Sequence, residues 1–227
     1  MKTLLLCFFV SIPFQNLVQS WKLSWIDQAI VLSDSEVLVS QTDRLSLLKV
    51  NGKKIQKSLD WPSIHHIGSL SSMRVWASNR QYGISVFDKE LSLVQHFPTG
   101  QKLPTVNSDL VMDASGFIWT LSLDGRELNR FNTNPIQQTF KLQLQSPAQA
   151  LFSSKLGIVV VFENEMQLMH IEELKLIKIS SKPLYNQKEI IQHSGNKELE
   201  DKGFSIFDRS KSRLLLQKAD SLYFYSL

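Results

Sequence analysis

The sequence predicts an all-β protein built as a β-propeller of about five blades, each of four strands, closed by its N-terminal strand. Three observations lead there. Short apolar runs with a period of two recur along the chain, separated by Ser, Asp, Asn, Gly and Lys, and they are rich in β-branched and aromatic residues. The runs repeat at nearly constant intervals: Val37 to Val75 is 38 residues, Trp76 to Trp119 is 43, and Trp119 to Val160 is 41. A period near 40 with several strands per repeat is that of a propeller blade. The chain also shows almost no sustained three-and-four apolar spacing, which argues against helical repeats of the same period. A β-sandwich would share the short strands and regular turns but not the repeat.

The first twenty residues read as a leader rather than as fold. Lys2 is a positive n-region, Leu4 to Phe14 is an apolar stretch, and Val18-Gln19-Ser20 has modest or small residues at the two positions a signal peptidase reads. Cleavage is expected before Trp21, leaving residues 21–227 as a single propeller domain. The apolar run is broken by Pro13 and is shorter than the roughly 20 residues a spanning helix needs, as is every later one, so the mature chain is expected to have no transmembrane segment. Cys7 is the only cysteine of the 227 residues and leaves with the leader. An exported domain without disulfides fits a bacterial envelope, where a hydrophobic core of this size suffices. The expected address is the periplasm, with outer-membrane association as a variant.

Within the fold, Glu36–Val39, Met73–Ala77, Phe117–Leu121 and Ile158–Phe162 read as inner strands. Each is followed by a second one at Leu45–Val50, Gly83–Asp88, Leu128–Phe131 and Met166–Ile171. The clearest unit is Leu110–Leu121, strand, turn, strand. Asp113 and Gly116 supply its turn chemistry, and Asp124-Gly125 marks a second hairpin. Tyr185 to Arg213 holds a charged stretch between Ile190-Ile191 and the strand-like Phe204-Ser205-Ile206-Phe207-Asp208, read as a solvated loop, a fraying helix or a partner-specific loop. Arg213–Gln217 and Ser221–Leu227 are strand-like to the last residue. Lys22-Leu23-Ser24-Trp25 is strand-like too, and is expected to complete the last blade beside Leu222–Tyr225, removing an exposed edge.

At residues 73–88 and 107–131 the pattern resembles the two-component-regulator propeller repeat of bacterial envelope proteins and, more loosely, NHL repeats. The residues that carry it are Met73, Val75-Trp76, Gly83-Ile84 and Val86-Phe87-Asp88 in one unit, and Asp113, Gly116, Phe117, Trp119 and Arg130-Phe131 in the other. The resemblance implies a small envelope propeller that binds other molecules. It brings no kinase, and such repeats specify blades rather than activities.

Composition narrows the function further. With the leader removed, 24 basic residues face 21 acidic ones, dispersed along the chain. No basic stripe interleaved with aromatics is present, so nucleic acid is not an expected partner. The five histidines lack metal-site spacing, and His65 and His66 would point to opposite faces of a strand. Asp109, Asp113 and Asp124 lack the alternating carboxylates of a calcium loop. No Gly-X-Ser-X-Gly elbow or mature thiol offers a nucleophile. No catalytic residue, metal or cofactor is therefore assigned. The expected function is non-enzymatic binding or scaffolding, with another envelope protein as partner. The alternatives are a glycan-binding module, or a hydrolase or lyase with a metal in the central channel. Trp76 and Trp119 are expected to pack between blades, whereas Trp61 and Tyr82 fall in connections, where aromatic rings anchor ligands. Together with His65 and His66 they form the candidate binding set.

Overall fold

The computed structural model describes residues 17–23, 26–50, 55–70, 73–105, 107–154, 157–180, 205–209, 213–218 and 221–226. They form five antiparallel four-stranded sheets. Blade 1 is β2 (Gln28–Ser33), β3 (Glu36–Gln41), β4 (Arg44–Lys49) and β5 (Ile55–Asp60). Blade 2 is β6 (His66–Ser69), β7 (Val75–Asn79), β8 (Gly83–Phe87) and β9 (Leu93–Pro98). Blade 3 is β10 (Asp109–Met112), β11 (Ile118–Leu121), β12 (Glu127–Thr133) and β13 (Ile136–Gln143). Blade 4 is β14 (Ala148–Ser153), β15 (Gly157–Phe162), β16 (Met166–His170) and β17 (Lys175–Ser180). Blade 5 joins the two ends of the chain: β18 (Ser205–Arg209), β19 (Arg213–Lys218) and β20 (Ser221–Ser226) are completed by β1 (Leu17–Lys22). The expected propeller is the observed architecture.

The first strands of the blades face one another, β18 against β2, β2 against β6, β6 against β10 and β10 against β14. The runs read as inner strands are thus the second strand of each blade. They carry the longest apolar runs because they have a strand on either side and a blade on either face. Successive residues then serve different interfaces. Val37 and Val39 join Trp21, Leu215 and Leu222 between blades 5 and 1, while Leu38 joins Ile67, Val75, Ala77 and Phe87 between blades 1 and 2. Trp76 and Trp119 lie fully buried in the cluster that spans blades 2 to 4, as expected of interblade packing.

Two local expectations shift. The closing strand lies further toward the N-terminus than Lys22–Trp25: β1 pairs with β20 from Leu17↔Tyr225 to Lys22↔Ser221, and Trp21, opposite Leu222, is buried. Ser24 and Trp25 lie outside the described residues, as does most of the charged stretch from Tyr185. Asp124-Gly125 is not a two-residue hairpin but part of a five-residue connection, 122–126, between β11 and β12. There the Asp124 carboxylate accepts from the Arg126 amide and the Ser122 hydroxyl. Gly125 takes φ +70° and passes so close to the start of β14 that a Cβ would strike the Ala148 carbonyl. The same approach lets the Ala148 amide donate to the Gly125 carbonyl at 2.7 Å, tying blade 3 to blade 4.

Candidate functional site

The ends of the first strands where they begin also carry the β3–β4 and β7–β8 turns and the connections that arrive from the previous blade. At this entry end, Gln28, His66 and Asp109 occupy the same place in β2, β6 and β10, two residues before the partners of Leu38, Trp76 and Trp119. Each reaches across to the next first strand. Gln28 donates from Nε2 to the His65 carbonyl at 2.6 Å and accepts the Ile67 amide at 2.9 Å. His66 Nε2 lies 2.8 Å from Asp109 Oδ1. Because an ionised carboxylate only accepts, the ring nitrogen is the donor. Asp109 in turn accepts the Leu151 amide on Oδ2 at 2.8 Å and the Leu110 amide on Oδ1 at 2.9 Å. Blades 1 to 4 are thereby latched by side chains that satisfy backbone groups left over where two sheets meet edge to edge.

Charge accumulates around this latch. Burial alone would raise the Asp109 carboxyl, but the His66 ring, its hydrogen bond, the Leu151 amide and Arg80 outweigh it and hold the group below its ordinary value. Arg80 Nε stands 3.9 Å from Asp109 Oδ1, an ion pair without a hydrogen bond, and its side chain is half-exposed. His65 is half-buried beside it, and burial, then Arg80 and His66, lower its pKa against the opposing pull of Asp109. His66 is further fixed by an edge-on contact with Phe152 at 5.5 Å.

The four residues singled out from the sequence all lie at this end, but in different settings. Trp61 is half-buried, edge-on to Phe87 at 5.3 Å, with its backbone amide on the Asp43 carbonyl at 2.9 Å. Its ring is a wall between blades 1 and 2 more than a loop tip. Tyr82 is 51% exposed at the β7–β8 turn and is the large aromatic free to meet a ligand. His66 is buried in the latch, and His65 lies between latch and solvent. Asn79 joins the two loops that carry the four. Its Oδ1 accepts the Gln81 and Tyr82 amides, and its Nδ2 donates to the Pro62 and Ser63 carbonyls.

Sequence reasoning missed Asn79, Arg80 and the latch role of Asp109. The available signal was positional, since Asp109 and His66 stand the same ten residues before Trp119 and Trp76. Next to this cluster Gln41, Asp43, Arg44 and Asp60 line a shallow cleft of about 330 Å³. Arg44 Nε donates to Asp60 Oδ1 at 2.9 Å, and Asp43 Oδ1 accepts the Ser63 amide at 2.8 Å. No group of three or more His, Cys, Asp or Glu is placed to hold a metal ion among the described residues. What this end offers chemically is hydrogen-bonding and ion-pairing surface: a half-exposed guanidinium, a half-buried imidazole, an exposed phenol and a charged cleft.

Among the described residues, five four-stranded sheets whose first strands face one another define the class: the protein is a β-propeller. No family model and no curated protein matches the sequence. Among solved structures the chain is similar to virginiamycin B lyase from Staphylococcus aureus, with 15% identity, a TM-score of 0.49, and 92% of this chain and 73% of that one covered. That likeness concerns the course of the chain alone.

Proposed function

We propose that the protein is an exported, non-enzymatic binding or scaffold propeller of the bacterial envelope, which takes a partner protein on the entry end of blades 1 to 3. One observation carries the reading: the groups there that resemble catalytic machinery are consumed in holding blades together. Asp109 is fully buried and accepts from His66 and two backbone amides, so its carboxylate has no face left for a substrate. The groups turned outward, Arg80, Tyr82 and the Arg44–Asp60 pair, are of the kind that anchors and orients a partner. The periplasmic address follows from the leader-like N-terminus and the resemblance to envelope propeller repeats.

A photo-crosslinking residue at position 82 tests this against one at position 73, which is also exposed but sits at the opposite end of β7. In envelope preparations the reading expects a discrete adduct from position 82 that Arg80→Ala weakens, and none from position 73. Equal labelling from both positions would remove the entry end as the binding face.

A further inference from the structure

The residues that look like a peptidase site are also strand residues. Four of the six residues of β1, Leu17 to Ser20, precede the Ser20–Trp21 bond. Leu17, Gln19 and Ser20 are opposite Tyr225, Phe224 and Tyr223, with a bulge between the first two, and only Trp21 and Lys22 of β1 follow the bond. Val18 packs against the cluster of Trp21, Leu23, Leu215 and Leu222 that joins blade 5 to blade 1. A cut at this bond would leave two residues of the strand, too few to hold a register, and would open β20 as an edge. The likeness to a cleavage motif has its own explanation. Val18 sits at the bulge and packs on the cluster, and Ser20 is exposed opposite Tyr223, so both residues have places in the strand that owe nothing to peptidase recognition.

We propose that the Ser20–Trp21 bond is not the boundary of the functional protein: Leu17 to Ser20 are retained as the closing strand of blade 5, and any leader is removed N-terminal to Leu17. A peptidase meets the chain unfolded during export, so the bond's place in the finished strand does not protect it. The constraint acts through the product, because a chain starting at Trp21 lacks most of the strand that joins its two ends. This proposal is independent of the binding reading above, since it concerns blade 5 and not the entry end of blades 1 to 3.

The test has two arms. Intact mass and N-terminal sequencing of the protein recovered from cells that export the full chain should give a first residue at or before Leu17. A first residue at Trp21 overturns the proposal. In the second arm, chains starting at Leu17 and at Trp21 are made without a leader and melted. The shorter chain should melt about 10 °C lower, or without cooperativity, given a shift of roughly 2–4 °C per kcal/mol for a domain of this size. Equal midpoints overturn the proposal, and if neither chain folds the first arm decides alone.

Discussion

Blades 2 and 3 are built on one plan and differ in how they treat the same buried tryptophan. Aligned through their strand registers, Leu70 to Arg74 of blade 2 corresponds to Asp113 to Phe117 of blade 3, and Trp76 corresponds to Trp119. Both turns close with the same backbone bond, the Leu70 amide to the Arg74 carbonyl at 2.8 Å and the Asp113 amide to the Phe117 carbonyl at 3.0 Å. Both indoles are fully buried. In blade 3 the Asp113 carboxylate accepts the Ser115 and Phe117 amides on one oxygen and the Trp119 indole N–H, at 2.7 Å, on the other. In blade 2 the equivalent Leu70 offers no acceptor, and the Trp76 indole N–H is buried without a partner. Its ring lies instead on Gly68, where a side chain would collide with it. Two equal burials of apolar area therefore have unequal polar costs, since an unmade hydrogen bond on a buried donor costs about 1–3 kcal/mol. At this tryptophan blade 3 relies on its turn carboxylate and blade 2 on packing.

The largest effect should come from making blade 3 resemble blade 2. Asp113→Leu removes the acceptor from two turn amides and one indole, and should lower stability by about 2–4 kcal/mol, read from urea unfolding. Burial already pushes the Asp113 carboxyl up, against the opposing effect of its hydrogen bonds and of Arg130, so the charge itself is not what the site needs most. Asp113→Asn keeps one acceptor for the two turn amides but sets an NH2 against the Trp119 indole N–H, so it should cost less than Asp113→Leu without matching the parent. A leucine variant as stable as the parent would mean that the carboxylate contributes nothing net and that the two blades are equivalent.

Much of this architecture was legible because a strand with neighbours on both sides and blades on both faces is apolar at most positions. That is why Glu36–Val39, Met73–Ala77, Phe117–Leu121 and Ile158–Phe162 stood out, and why their spacing gave the blade period. Asp113 and Gly116 were legible as a turn because their chemistry is local. The entry end was less so. His66, Asp109 and Leu151 lie 43 and 42 residues apart, and their meeting depends on how blades abut, which no local pattern encodes. Trp61 looked like a loop aromatic because it follows a strand end, yet the blade interface folds the ring inward onto Phe87. The closing strand was placed a few residues late because Val18-Gln19-Ser20 satisfies two patterns at once, and only the pairing with β20 shows it as strand.

A second comparison isolates the indole N–H. Trp119→Phe leaves one oxygen of the Asp113 carboxylate buried without its donor, whereas Trp76→Phe removes a donor that has no acceptor to lose. Both lose ring area, so the difference between them reports the hydrogen bond. Trp119→Phe should cost about 1–2 kcal/mol more than Trp76→Phe. Arg130 adds to the same difference, since its guanidinium stacks on Phe117 at 4.5 Å and Trp119 at 5.8 Å, where blade 2 has Val86. Equal costs would show that the Asp113 bond is offset by the desolvation of its carboxylate.

The smallest effect lies in the fourth residue of the same turn, where blade 2 has Met73 and blade 3 has Gly116. Both are left-handed, at φ +57° and +88°. An L-residue with a Cβ pays roughly 1–2 kcal/mol to sit there, and glycine does not. Met73 gains nothing in return, because it is 80% exposed. Glycine does enlarge the conformational freedom of the unfolded chain, which offsets part of the relief. Met73→Gly should therefore stabilise the protein by only about 0.5–1 kcal/mol, and Gly116→Met should destabilise it by about 1 kcal/mol. Gly116 has open space around its α-carbon, so the second change tests backbone conformation without a clash. Urea midpoints that move in opposite directions with unchanged m-values would confirm that the two turns share one backbone. A Met73→Gly variant less stable than its parent would mean that the methionine side chain supports blade 2 in a way the turn of blade 3 does not need.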